Sequence, residues 1–171
     1  FQSGSLIRHL PLFLSGLAKD RSLPAIASST LRDRISQITR QAPHPVKRVA
    51  FFSGCTIDLV FPETGESVFK VLQDLGMEVA FPEKQSCCGK PVSAMGDMET
   101  ARRIARQNLE AFEAAAPDVI LAACPACTEA LRGYAELLKE DEGWRGKAEK
   151  FAHRVQEFCE FVAKEYEGTG R

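Results

Sequence analysis

No apolar run in the 171-residue chain approaches the roughly 18 consecutive residues that a bilayer-spanning helix requires, so a membrane-crossing helix is excluded. A surplus of one charge is also lacking: the formal net charge is −1, which gives no global attraction for nucleic acid. Histidine is scarce. His9, His44 and His153 all lie outside the cysteine-bearing stretches described below, and each reads as a surface residue rather than a metal ligand. An export signal is missing as well, since Phe1-Gln2-Ser3-Gly4-Ser5 resembles the remnant of a cleavable affinity-tag linker and not a signal peptide. The expected location is therefore cytoplasmic, with any attachment at the inner face of the membrane made through partner subunits. In that setting reduced thiols favour metal ligation over structural disulfides.

What the chain does have is cysteine in a pattern. Five of its six cysteines form the series Cys55, then Cys87-Cys88-Gly89, then Cys124-Pro125-Ala126-Cys127. Thirty-one residues (56 to 86) separate the first from the second group and thirty-five (89 to 123) the second from the third, a spacing that core packing alone has no reason to produce. A lone CxxC serves redox chemistry, zinc binding or nothing at all. Five thiols, with an adjacent pair followed by glycine and a terminal CxxC, point instead to a metal or cluster site.

The background composition, 44% hydrophobic and 26% charged, is that of one domain able to bury a core. Residues 6–45 read as a helical linker segment, with short apolar stretches broken by Pro11, Gly16 and Pro24 and closed by Pro43-His44-Pro45. This part of the chain is basic. Residues 1–48 hold eight Lys/Arg against Asp20 and Asp33, a net of +6, which leaves −7 for the remainder. The segment is thus either a dock for an acidic partner or a solvated linker.

Residues 46–171 form the main domain. Three apolar runs, 46–53, 77–81 and 118–123, read as strands, and each is followed by a helical pattern. The first helix spans about Glu66–Leu75, with Val68, Val71, Leu72 and Leu75 on one face and Gly76 as its stop. The second begins at Asp97 as N-cap and runs to about Ala115, with Ala101, Ile104, Ala105, Leu109 and Phe112 aligned. The third starts within Cys124–Thr128 and reaches about Lys139, and a final helix is predicted over Lys147–Tyr166. Alternating strands and helices give an α/β fold: three layers, with a short parallel sheet between flanking helices. Parallel strands all end at one edge, where ligands bind, and each cysteine group follows a strand. All five thiols are therefore expected at that edge.

Thiolates are soft ligands for iron–sulfur clusters and zinc, and helix amino termini favour the thiolate form, Cys127 above all. Gly89 would let backbone approach a bulky inorganic group. Five thiols exceed the four that a tetrahedral zinc or a simple cubane cluster takes, which points to a less usual cluster or to one exchangeable thiol. Three readings stay open on the residues alone: an iron–sulfur redox module, a structural zinc module for assembly, and a thiol–disulfide switch using Cys87-Cys88 or Cys124-Cys127. Cys159 is separate. It keeps helical spacing with Phe151, Val155 and Val162 and reads as core packing.

Phe52-Ser53-Gly54-Cys55, Phe81-Pro82 with Gln85-Ser86-Cys87-Cys88-Gly89-Lys90-Pro91, the Met95-Gly96-Asp97 turn followed by Ala101, Ala105 and Asn108, and Cys124-Pro125-Ala126-Cys127 together resemble the cysteine-rich CCG domain family. That family includes the iron–sulfur subunits of glycolate oxidase and of anaerobic glycerol-3-phosphate dehydrogenase, lactate-utilisation proteins, and the cluster-bearing component of heterodisulfide reductase. The resemblance covers roughly residues 46–139. It implies electron transfer from a flavin-containing dehydrogenase subunit towards quinone or a disulfide acceptor, through a four-iron four-sulfur cluster of cubane or non-cubane type. It also implies Cys55, Cys87, Cys88, Cys124 and Cys127 as cofactor-binding and metal-ligating residues. Relatives usually carry two such repeats, often after a ferredoxin-like region with closely spaced CxxCxxC runs. This chain shows one repeat and no such run, and so reads as a fragment whose partners are a flavin subunit and a second repeat, not catalytic alone.

Overall fold

The computed structural model describes residues 24–38 and 44–168. The stretch read above as a tag remnant, and most of the stretch read as a linker, lie outside the described residues. Four strands form one parallel sheet: β1 (Arg48–Phe52), β2 (Glu78–Ala80), β3 (Val119–Ala122) and β4 (Val155–Glu157), in the order β2-β1-β3-β4. Ala50 pairs with Ala80 and with Ile120, and Ala122 pairs with both Phe52 and Glu157, so the carboxyl ends of the strands share one edge.

Side chains alternate across a strand, and here both faces of the sheet are covered, which explains why β1 and β3 read as unbroken apolar runs. Ala50, Phe52, Ile120 and Ala122 enter one core, against α5 (Met98–Glu113), α6 (Pro125–Arg132), α7 (Tyr134–Leu137) and α8 (Arg145–Arg154). Val49, Phe51, Val119 and Leu121 enter the other, against α1 (Leu31–Ile38), α3 (Pro62–Asp74) and α9 (Phe158–Gly168). Two short helices, α2 (Gly54–Leu59) and α4 (Lys90–Ala94), sit at the carboxyl edge, α2 holding the first cysteine group and α4 directly following the second. The three-layer parallel architecture agrees with the sequence expectation.

Local signals act as expected at several ends. Pro62 starts α3, and Gly76 stops it with φ +75°, a left-handed conformation that favours glycine. Asp97 caps α5 by accepting the Thr100 N–H at 3.0 Å. Val71 departs from the expected face of α3: it is exposed, and Phe69, fully buried, fills the core position instead.

The carboxyl-terminal part corrects the sequence reading. The predicted single helix over Lys147–Tyr166 is two helices with β4 between them, added to the sheet's edge beside β3. The break resets the helical phase, so the apolar stripe that placed Cys159 in the core does not exist. Cys159 is exposed, while Phe151, Val155 and Phe161 are buried on the two sides of the break. The basic character of residues 1–48 is also resolved in part. Arg32 pairs with Asp58, Arg34 with Glu63 and Glu66, Lys47 with Glu165 and Arg48 with Glu78, so these four cations meet acids of the chain's own main domain.

Candidate functional site

Each cysteine group leaves the sheet at its carboxyl edge. Cys55 stands in the first turn of α2, two residues after Ser53; Cys87 and Cys88 close the loop after β2; Cys124 is the extended N-cap of α6 and Cys127 lies in its first turn. Pro125 at the start of α6 is pre-set for helix, which lets the chain turn directly from β3 into the thiol-bearing turn.

Four of these thiols lie near enough to influence one another in succession: Cys127 acts on Cys88, Cys88 on Cys87, and Cys55 on Cys87. The row runs from the interior outward: Cys88 and Cys127 are 5% and 7% exposed, Cys87 is half-buried and Cys55 is exposed. Cys124, half-buried, packs on the edge of the same core, and its carbonyl accepts the Thr128 N–H and hydroxyl. All six cysteines are free thiols. Among the described residues no three Cys, His, Asp or Glu side chains converge as a site for one metal ion. His44 and His153 lie apart from the thiols in the chain and both are exposed, and His9 lies outside the described residues.

Cys87 and Cys88, just before the start of α4, do not show the acidity expected of a helix amino terminus. The Cys87 thiol is held well above its ordinary range, first by its hydrogen bond with Cys88 and then by burial. Cys88 is pushed up to about 11, first by its hydrogen bond with Cys127 and then by burial. A thiol that already donates to a neighbouring sulfur resists giving up that proton, and burial penalises the anion. These effects outweigh the short helix start at α4.

Two glycines make the packing possible. Gly54 has φ +64°, and a Cβ there would lie 3.0 Å from Cys127 Sγ, so the backbone of the first cysteine group passes directly over the thiol of the third. Gly89 has φ +81° and faces Ile104 Cγ2, so its part is to turn the chain into α4.

A buried polar frame holds the Cys87-Cys88 loop. Gln85 accepts the Ser53 N–H at 3.0 Å and donates to Phe51 O at 3.1 Å, which ties the loop to the segment bearing Cys55. Asn108, fully buried on α5, accepts the Ser86 N–H at 2.8 Å and donates to Cys87 O at 2.9 Å and to Tyr134 Oη at 2.9 Å. Tyr134 Oη in turn donates to Cys88 O at 3.1 Å. Gln85 and Asn108 stand in the sequence motif without an evident role. The signal for Asn108 is an amide at a helix position whose neighbours in phase, Ala101, Ala105 and Phe112, are all buried apolar residues. Tyr134 carried no signal in the sequence.

Residues 49–132 match the profile of the cysteine-rich domain family CCG. The chain belongs to the CCG cysteine-rich domain family. It is 38% identical over 118 residues to the probable glycolate oxidase iron-sulfur subunit of Bacillus subtilis strain 168, covering 69% of this chain and 27% of that protein. It is 36% identical over 121 residues to lactate utilization protein A of an Exiguobacterium strain, covering 71% of this chain and 49% of the relative. Lactate utilization protein A 1 of Bacillus mycoides is 32% identical over 118 residues, covering 68% of this chain and 47% of the relative. The chain thus spans half or less of these relatives' lengths. No solved structure matches it significantly. Among the described residues of the CCG protein no helix is long and apolar enough to cross a membrane.

The donor set fits an iron–sulfur group. Its atoms are soft sulfurs at one sheet edge, and Gly54 leaves open the space beside Cys127 that a side chain would fill. Five sulfur donors also exceed the four that one tetrahedral zinc ion takes.

Proposed function

We propose that this CCG domain is an iron–sulfur electron-transfer module of a multi-subunit oxidoreductase, with Cys55, Cys87, Cys88, Cys124 and Cys127 as its ligand set. The observation that carries the reading is the thiol row from Cys127 through Cys88 and Cys87 to Cys55 at the carboxyl edge of a CCG domain. The similarity to a protein named as an iron-sulfur subunit supports it. When bound, an iron–sulfur cluster supplies one-electron chemistry at thiolate donors. Cys88 and Cys127 grip from the buried side, Gln85 and Asn108 fix the loop that carries Cys87 and Cys88, and exposed Cys55 marks the side open to a partner.

The finer reading is a four-iron four-sulfur cluster, of cubane or non-cubane type, that takes electrons from a flavin-containing dehydrogenase subunit and passes them to quinone or a disulfide acceptor, with a second CCG repeat as neighbour. Because the Cys87 and Cys88 thiols hold their protons firmly, metal binding there would require those protons to be released. Anaerobic reconstitution with iron and sulfide tests the module: broad visible absorption with bound iron and acid-labile sulfide is expected. A colourless protein, or one that holds zinc and no sulfide, contradicts it.

A further inference from the structure

The peptide group between Cys88 and Gly89 has a partner at each end. Its carbonyl accepts the Tyr134 hydroxyl at 3.1 Å, and its N–H, the amide of Gly89, points at Cys87 Sγ at 3.5 Å. No cis peptide occurs among the described residues, and in a planar trans peptide C=O and N–H point in opposite directions. Holding the carbonyl inward therefore aims the N–H outward, at the sulfur. Tyr134 is itself fixed: it is 1% exposed, its Oη accepts from Asn108 Nδ2, and its ring stacks on Phe151 at 5.7 Å between centroids. Asn108 holds the preceding peptide in the same way through Cys87 O.

We infer that Tyr134, oriented by Asn108, is a positioning residue that acts on the Cys87 sulfur through one rigid peptide plane, aiming the Gly89 N–H at it as a hydrogen-bond donor. Outer hydrogen bonds of this kind orient ligands, and those made to sulfur raise the reduction potential of a bound iron–sulfur group. The effect on potential rests on the function proposed above; the effect on the Gly89 amide does not.

Two variants separate the hydrogen bond from packing. Tyr134→Phe keeps the ring and removes the hydroxyl, whereas Phe151→Leu loosens the ring stack and leaves the hydroxyl in place. In the reduced, metal-free chain labelled with 15N, Tyr134→Phe is expected to move the Gly89 amide proton upfield and to speed its hydrogen exchange about fivefold, the loss of one hydrogen bond. Phe151→Leu is expected to lower stability and leave the Gly89 shift in place. An unchanged Gly89 amide in Tyr134→Phe, or an equal shift in Phe151→Leu, overturns the inference. After iron and sulfide loading, Tyr134→Phe is expected to have a more negative midpoint potential than the parent chain, and an unchanged potential counts against the inference. A parent chain that takes up no iron overturns the proposed function instead, and the amide measurement still decides the role of Tyr134.

Discussion

At Gly54 two constraints meet, a left-handed φ of +64° and an approach of 3.0 Å between a would-be Cβ and Cys127 Sγ. Gly54→Ala should therefore lower stability by about 1–3 kcal/mol and displace Cys127, which reduces metal uptake; denaturant unfolding and iron analysis check both. The thiols carry a second consequence. Cys87 and Cys88 have folded-state pKa values raised above the ordinary 9.0, Cys88 to about 11, so both states hold the proton below 9.0 and the full stability is present there. As pH climbs from 9.0 towards about 11 the unfolded chain releases its protons first, and the metal-free domain should lose stability. Urea unfolding at about pH 7 and about pH 10.5 should show that decline, and a flat profile would contradict it. Cys159, exposed and outside the thiol row, should behave differently: Cys159→Ala should stay within about 0.5 kcal/mol of the parent and keep its iron.

Among the elements, α1 has a role that the sequence concealed. Leu31 is fully buried, and Gly65 on α3 leaves room for it, since a Cβ there would lie 2.3 Å from Leu31 Cδ2. Arg32 adds a bridge: its Nε donates to buried Asp58 on α2 at 2.7 Å and its Nη1 to Glu83 O, in the loop that leads to Cys87. The segment that precedes the main domain thus braces both the Cys55 helix and the Cys87 loop. Leu31→Ala should cost about 3 kcal/mol in denaturant unfolding, and a loss below about 1 kcal/mol would show that α1 is not integral. Its basic residues Arg32 and Arg34 appeared as a surplus in the sequence because their acids, Asp58, Glu63 and Glu66, lie beyond it in the chain. Strand β4 was hidden for another reason. An edge strand of three residues, Val-Gln-Glu, needs one buried side chain, and Val155 stands in helical phase with Phe151, so periodicity passed over the break. By contrast β1 and β3, covered on both faces, could be read directly from their apolar runs.

For the molecule as a whole, parallel topology brings together residues that lie far apart in the chain. That Cys55, Cys87, Cys88, Cys124 and Cys127 share one edge was legible, because each group follows an apolar run and parallel strands end on the same side. The thiol order within that edge was not. It depends on Gly54 passing over Cys127 and on the Gln85, Asn108 and Tyr134 hydrogen bonds, which are set by packing between elements rather than by local pattern. The buried members of the row, Cys88 and Cys127, make the sharpest test. After anaerobic loading with iron and sulfide, the parent chain and Cys159→Ala should each hold about four irons with matching acid-labile sulfide and a broad visible band, and Cys88→Ser should hold none in stable form. Iron retained by Cys88→Ser, or a parent chain that stays colourless, would contradict the assignment of the thiol row as an iron–sulfur site.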